Sequence, residues 1–300
     1  SDQLKGLWFL NYDEATQKIE HAGTNQAEYQ VWLTVKGHES EFISESWNLL
    51  ISKFDFKELH LKYLPESYLL DYLHTGTSTR GKFVSRSYER PFFSLNEKTI
   101  QDMFSANTRR RVSKFEKIGK VEFARIKTIE EFDSIFERLV DFYDFRMGAL
   151  KQVIPFRSDK FKKEFHRNLF LSDTENIICT ATYVNGQPVA SQFSGLSKKT
   201  YCFLLLMHEP FLTKYSPGYI HLLQLSRYAE QEDIRKIDLT PGGDSWKERF
   251  ATDSDRVVYA VLYRSKFSKI RAELKQNVKD TAKTTLSKFG INGGAIKLNA

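Results

Sequence analysis

Along the chain, apolar and polar positions alternate with a changing period, and the period predicts the elements. Over 39–51, Phe42, Trp47, Leu50 and Ile51 recur at helical spacing, which predicts an amphipathic helix. Residues 58–61 alternate as a strand does, 65–73 read as a helix with Pro65 in its first turn, and 82–88 is again strand-like. Asn96 is placed to cap a long helix that runs to about Ile118, where Gly119 stops it.

Beyond Gly119 the pattern sharpens. A strand over 121–127 leads to Thr128, which caps a helix through about Arg146 with Glu131 closing a capping box. Ser158 starts a further helix through Leu169. Three strand-like runs follow at 176–184, 188–196 and 200–207, the first two joined by Asn185-Gly186, a strong hairpin signal. Pro217 opens a helix to about Gln231, and strands are expected over 235–239 and 256–263. The segment 265–288 reads as a closing helix with Phe267, Ile270, Leu274 and Val278 on one face. Two helices, a three-strand meander, a helix and two strands describe an α/β domain with a mixed sheet. Strand 200–207, helix 217–231 and strand 235–239 form a crossover unit, which requires a parallel pair.

Composition narrows the class. Three hundred residues suffice for two modest domains or one large one, and 24 Phe with 14 Tyr make any core aromatic-rich. The apolar run 201–207 is far short of the ~20 residues that a membrane helix needs. Ser1-Asp2-Gln3-Leu4-Lys5-Gly6 does not carry a basic region followed by an apolar stretch, the mark of a signal peptide. Cys179 and Cys202 lie in strand-like apolar runs and read as buried thiols. A cytoplasmic protein is the expectation.

The net charge of +7 suits an anionic partner: CoA phosphates, tRNA, other nucleic acid or acidic lipid. The excess gathers in Arg109, Arg110, Arg111, Lys114, Lys117 and Lys120, and again from Arg264 to Lys297. Each cluster can equally be a solvated helix face.

Two segments carry candidate chemistry. In Lys214-Tyr215-Ser216-Pro217-Gly218-Tyr219, a tight turn feeds a helix whose first N–H groups and dipole suit a pyrophosphate, with Lys214 adding a charge. A bare helix start fits the same residues. In the run from Asp238 to Phe250, an expected strand enters Pro241-Gly242-Gly243, followed by Asp244, Trp246, Lys247 and Arg249. Asp244 can act as a base and Lys247 as an oxyanion or phosphate stabiliser, or the two can form a plain ion pair in a turn. His208-Glu209, after the third meander strand, offers a base or a solvated strand end. His21, His38, His60, His74, His166 and His221 show no metal-ligand spacing, and no metal site is expected.

The runs 105–111 (Ser-Ala-Asn-Thr-Arg-Arg-Arg) and 115–119 (Phe-Glu-Lys-Ile-Gly), Arg146-Met147-Gly148, Tyr215-Ser216-Pro217-Gly218 and the stretch from Asp238 to Phe250 carry a resemblance. Together they resemble the GNAT-like acetyltransferases associated with cellulose and exopolysaccharide gene clusters, relatives of the Fem-type aminoacyl transferases. The likeness spans about 66–264, and Ala22-Gly23 with Ala27-Glu28-Tyr29 up to Leu61 is looser. It implies a GNAT-type mixed sheet in two tandem lobes: an incomplete one over 1–104, an acyltransferase domain over 105–264, and a basic tail over 265–300. Ser216, Gly218, Tyr219 and Lys214 would hold the cofactor side, and the strand around Phe203 and Leu205 would polarise the acyl carbonyl. Lys247 matches the lysine of an aromatic-Lys-x-x-aromatic motif, flanked here by Trp246 and Phe250, and Arg109 to Arg111 match the family's basic helix. The family's glycine-rich CoA loop is shortened to 214–218, and its N-terminal helix and hairpin are missing, as in a fragment. The implied reaction is acyl transfer, acetyl above all, from acyl-CoA to an amine or hydroxyl acceptor, with Asp244 as base and Lys247 as charge stabiliser. Aminoacyl transfer from tRNA and a non-catalytic scaffold are the alternatives. No membrane span is expected, and the sequence leaves acceptor and oligomeric state open.

Overall fold

A computed structural model describes residues 4–23, 26, 28–66, 79–242 and 246–274. Contacts divide the chain into two units, the described residues of Ser1–Tyr88 with Arg256–Ala300, and Glu89–Asp255. The sequence expected boundaries near 104 and 264; the contact boundaries fall inside two strands.

In the first unit, β1 (Gly6–Leu7) pairs with β4 (Leu33–Thr34). β2 (Leu10–Asp13) and β3 (Lys18–His21) form an antiparallel pair, and β3 runs parallel to β5 (Glu58–Pro65). β5 is antiparallel to β12 (Asp253–Tyr263). Helix α1 (Glu39–Lys53) buries Ile43, Trp47 and Leu50 in a core with Leu59, Leu61, Leu64, Val258 and Leu262. Pro65 closes β5, where the sequence predicts the opening of a helix; the strand slips register at Lys62–Tyr63 and then runs on to pair Pro65 with Val257. The rest of that expected helix, 67–73, lies outside the described residues, as does most of 265–288, of which 266–274 is helical.

The second unit contains the sheet order β6–β11–β10–β9–β8–β7. Its strands are β6 (Phe83–Ser94), β7 (Val121–Ile126), β8 (Ile177–Val184), β9 (Gln187–Ser197), β10 (Thr200–His208) and β11 (Lys236–Asp238). β6 and β12 each have residues in both units. The expected meander is present, β7 to β10 pairing antiparallel in turn, and β10 and β11 are the expected parallel pair. Asn185 and Gly186 both take positive φ, 50° and 75°, as a two-residue hairpin turn requires.

Two apolar cores cover the two faces of this sheet. One holds Phe93, Phe115, Tyr201, Phe203 and Phe250 with α2 (Glu97–Met103), α3 (Ala106–Glu116) and α7 (Pro217–Gln231). The other stacks Phe132, Phe136, Phe170 and Phe193 with α4 (Ile129–Lys151), α5 (Pro155–Ser158) and α6 (Lys162–Ser172). Burial of each such ring contributes roughly 1.5–3 kcal/mol.

Local chemistry explains where the helices depart from expectation. The long helix after Asn96 is two, because Ser105 caps a new start by accepting from the Thr108 N–H at 3.4 Å. The helix expected from Ser158 starts instead at Lys162, and Ser158 is the last residue of the short α5. The Thr128–Glu131 capping box forms, and α4 continues past Arg146 to Lys151, ending on Gln152 in the left-handed region.

Candidate active site

The site begins with a bulge. Register in β10 shifts between Phe203 and Leu205, so one extra residue enters the strand. Before the shift, Tyr201 and Phe203 face the core under α7; after it, Leu205 and Met207 face the core under α4. Leu206 and His208 are thereby turned to the α7 side.

The ladder fixes where their backbone groups point. His208 pairs with Ala190 and Leu206 with Gln192, while the Glu209 N–H donates to Val189 O at 2.8 Å. Bonded and non-bonded pairs alternate in an antiparallel ladder, so Met207 and Leu205 bond to β9 while Leu206 and His208 turn their N–H and C=O away from it. They face the β11 edge, yet β11 pairs with β10 only at Thr200, Tyr201 and Cys202. Past Cys202 the two parallel strands have parted.

In that gap lies a cavity of about 240 Å³. Leu206 and His208 form one wall, Ser216, Pro217, Gly218, Tyr219 and Leu222 at the start of α7 another, and Trp246 and Phe250 a third; Thr213 and Arg146 complete it. The Tyr219 and Phe250 rings lie 5.0 Å apart, and the Trp246 and Phe250 rings 6.3 Å. Gly218 keeps the helix start close to the strand: a Cβ on it would stand 3.0 Å from His208 Cδ2, a tight contact that the imidazole would have to relieve. Ser216 sits in the left-handed region (φ 56°, ψ 54°) and makes no side-chain cap, so it does not cover the first N–H groups of α7.

Arg146, five residues before the end of α4, reaches into the gap. Its Nη2 donates to Leu206 O at 2.9 Å and its Nη1 to His208 Nε2 at 2.8 Å. A guanidinium can only donate, so Nε2 carries the lone pair and the imidazole proton is on Nδ1. Burial, and after it the Arg146 charge, push the His208 pKa down to about 4. His208 is therefore neutral near pH 7 and its one basic nitrogen is engaged, so the base sought in His208-Glu209 is not this imidazole. Glu209 is buried, lies 3.5 Å from Arg138 and caps the 3₁₀ segment Pro210–Tyr215.

Basic groups gather outside the cavity. Arg111 lies over the Tyr219 ring at 5.2 Å, Lys114 over Tyr215 at 5.4 Å, and Lys214 over the same ring at 5.0 Å. Lys114 donates to Lys214 O, and the Tyr219 hydroxyl is bonded to Thr108 Oγ1 at 2.9 Å. The basic helix and the 214–219 turn, separate in sequence, thus share one rim.

Of the residues proposed from sequence, Ser216, Gly218 and Tyr219 line the cavity and Lys214 stands at its rim. The Phe203 and Leu205 side chains are in the two cores, and the strand reaches the cavity through Leu206 and His208. Lys247 is buried; its Nζ donates to Thr240 O (3.1 Å), Thr240 Oγ1 (3.2 Å) and Pro241 O (3.2 Å), carbonyl and hydroxyl groups of its own loop. The flanking Trp246 and Phe250 line the cavity. Asp244 lies outside the described residues. Sequence reasoning gave Arg146 no role, although its Arg-Met-Gly motif was visible; its reach to β10 depends on the bulge. Burial pushes the Cys179 and Cys202 thiols up to about 12 and about 11, which removes both as nucleophiles. Among the described residues, no cluster of His, Cys, Asp and Glu could hold a metal ion, and no helix is long and apolar enough to cross a membrane.

A strand pair that parts beside the uncapped start of a crossover helix is the geometry to set against known proteins. Residues 103–248 match the family described as acetyltransferase (GNAT) domain. No curated protein matches the chain in sequence. L-PGS from Bacillus licheniformis is similar in fold (11% identity, 87% of this chain and 85% of that chain covered, TM-score 0.61). So is the C-terminal domain of a protein described as a lysylphosphatidylglycerol synthetase from Agrobacterium fabrum (8%, 90% and 88%, TM-score 0.58). FemX is similar too (8%, 90% and 88%, TM-score 0.56). At such identities the likeness is one of fold. The fold is a mixed α/β sheet of GNAT type, and the match to the acetyltransferase (GNAT) domain family covers 103–248, just under half of the chain.

Proposed function

We propose that the chain is an acyltransferase that moves an acyl group, acetyl in the simplest case, from acyl-CoA to an amine or hydroxyl acceptor. The observation that carries this reading is the parting of β10 and β11 beside the start of α7, with Leu206 and His208 turning their amides into the gap. The Leu206 N–H would bond the thioester carbonyl oxygen and stabilise the charge that grows there as the acceptor attacks and the thiolate leaves. The α7 N-terminus, with Lys214, Arg111 and Lys114 at its rim, suits the CoA pyrophosphate. Asp244 is proposed as the base. Lys247 would serve by holding the loop that leads to Asp244, since its Nζ is bonded to that loop's own oxygens. The resemblance read in the sequence supports an acceptor from polysaccharide or envelope assembly and an incomplete GNAT-like N-terminal lobe. The two free cysteines agree with a reaction in the cytoplasm.

The test is calorimetric titration with acetyl-CoA and CoA, repeated on Gly218→Asp. A carboxylate in the first helical turn favours the helix itself but repels phosphate, and its Cβ, 3.0 Å from His208 Cδ2, asks only a small shift of that ring, so binding is lost while folding holds. An affinity that the substitution leaves unchanged would remove the pyrophosphate from this turn.

A second reading, aminoacyl transfer from tRNA, is favoured by the exposed cations Arg110, Arg111, Lys114 and Lys117 on α3 and the loop after it, a face suited to an RNA backbone. CoA binding without any transfer would leave a scaffold role.

A further inference from the structure

The cavity offers more room than an acetyl group fills, and most of its surface is carbon. Among the described residues, Leu206, Pro217 and Leu222 line it together with the rings of Tyr219, Trp246 and Phe250. An apolar cavity of about 150 Å³ is enough to hold a benzene ring. This one measures about 240 Å³, and an acetyl group brings it a single methyl.

The ring wall is built before any ligand arrives. The Tyr219 hydroxyl is tied to Thr108 Oγ1 at 2.9 Å, and the Arg111 guanidinium lies over the same ring at 5.2 Å. The buried Phe250 ring lies 5.0 Å from Tyr219 and 6.3 Å from both Phe93 and Trp246. The Phe250 N–H donates to Lys247 O at 3.0 Å, which ties its backbone to the loop that Lys247 Nζ holds. Thr108, Arg111, Phe93 and Lys247 stand outside the lining, so the wall keeps its shape without taking up the cavity. A wall already ordered costs a ligand little in lost freedom, and each methylene it buries then strengthens binding by about fourfold.

We propose that the donor's acyl group is longer than acetyl, an apolar chain of roughly four to six carbons, and that the wall of Tyr219, Trp246 and Phe250 selects it. The inference rests on the reading that the thioester carbonyl meets the Leu206 N–H. Leu206 belongs to the lining, so a carbonyl bound at its amide starts the acyl chain inside the cavity, while the pyrophosphate stays at the α7 rim. An acetyl group there leaves ring surface against water; a longer chain covers it.

Two thioester series, titrated calorimetrically into the full chain, test this. One is CoA with its acetyl, butyryl, hexanoyl and dodecanoyl thioesters; the other carries the same four acyl groups on N-acetylcysteamine, which lacks the pyrophosphate. In both, affinity should climb roughly tenfold or more from acetyl to butyryl and level off near hexanoyl, where the cavity is full. W246A should flatten the climb. L222A, which enlarges the cavity, should move the plateau to longer chains, and it decides the matter if W246A does not fold. Equal affinity from acetyl to hexanoyl, or a climb that both variants leave unchanged, would overturn the proposal. A climb that continues unbroken to dodecanoyl marks general adhesion to apolar surface and overturns it too. If acetyl-CoA binds and longer chains bind no better, this inference fails and acyl transfer stands. If the cysteamine series climbs while no CoA thioester binds, the chain-length inference stands and CoA is not the donor.

Discussion

At Lys247 one side chain has two possible uses, and burial decides what a substitution should show. An exposed lysine in an ion pair contributes about 0–1 kcal/mol. Lys247 is instead 5% exposed, with three oxygens of residues 240 and 241 around its Nζ. Thr240 itself is held in the left-handed region at φ 62°, a strained conformation that the lysine helps to impose. Lys247→Met should therefore destabilise the protein by about 2–3 kcal/mol, as expected for buried acceptors that lose a charged partner. Urea denaturation measures that loss. If transfer is measured on the fraction that remains folded, a fall of about a hundredfold or more would mean that the charge also serves the transition state. A loss of stability below 1 kcal/mol would contradict the locking role.

At the scale of elements, what was legible depended on whether the determinant is local. The Asn-Gly hairpin, the Thr128 capping box and the Pro217 start are each written in a few adjacent residues, and each forms where expected. The break at Ser105 was hidden because Met103, Phe104, Thr108 and Val112 keep an inward face at roughly helical spacing across it. The bulge at Leu204 was hidden for a deeper reason, since a register shift belongs to the pairing with β9 and not to β10 alone. The bulge turns Leu206 and His208 toward the cavity, so the expected strand reaches the cavity through these two residues and not through the Phe203 and Leu205 side chains. Helix α7 is held to the sheet by another pairing of this kind. Thr182 Oγ1 donates to Gln224 Oε1 at 2.7 Å and so accepts from His221 Nδ1 at 2.9 Å, leaving His221 Nε2 to accept from Thr180 at 3.1 Å. Both nitrogens are committed with the ring neutral, and burial pushes its pKa down to about 3. The unfolded chain, with a histidine pKa near 6.5, then binds the extra proton more readily than the folded one, so stability is present above about pH 6.5 and is lost as pH falls toward 3. Between pH 6.5 and 4 this one histidine withdraws roughly 3 kcal/mol. His221→Gln should flatten the pH dependence of urea unfolding over that range by about one proton, or 1.4 kcal/mol per pH unit. An unchanged slope would mean that the imidazole is already charged in the folded protein.

At the scale of the molecule, the question is which donor the positive charge serves. The net charge of +7 adds to local clusters, and the cluster on α3 adjoins the cavity through Arg111, Lys114 and Lys214. Fold does not choose, because structures as different in sequence as FemX, L-PGS and the domain described as a lysylphosphatidylglycerol synthetase share it over most of the chain at 8–11% identity. Salt does choose. A tRNA that neutralises six to ten cations releases condensed counterions and should lose roughly 10³–10⁵ in affinity between 50 and 200 mM salt. CoA carries its few phosphates on a compact group, and over the same range screening alone should weaken it by roughly tenfold or less. The rim here supplies three cations and one helix start, enough for a pyrophosphate, while an RNA backbone would need the rest of α3 as well. We therefore expect a shallow salt dependence for acetyl-CoA, abolished binding in Gly218→Asp, and little change on replacing Arg110 and Lys117 by Gln, since neither is at the rim. Titrations of acetyl-CoA and of bulk tRNA at both salt concentrations measure this directly. If tRNA binds with the steep dependence and the Arg110/Lys117 double variant loses it, while acetyl-CoA fails to bind at either concentration, the donor is an aminoacyl-tRNA and the uncapped start of α7 holds a phosphate of its backbone instead.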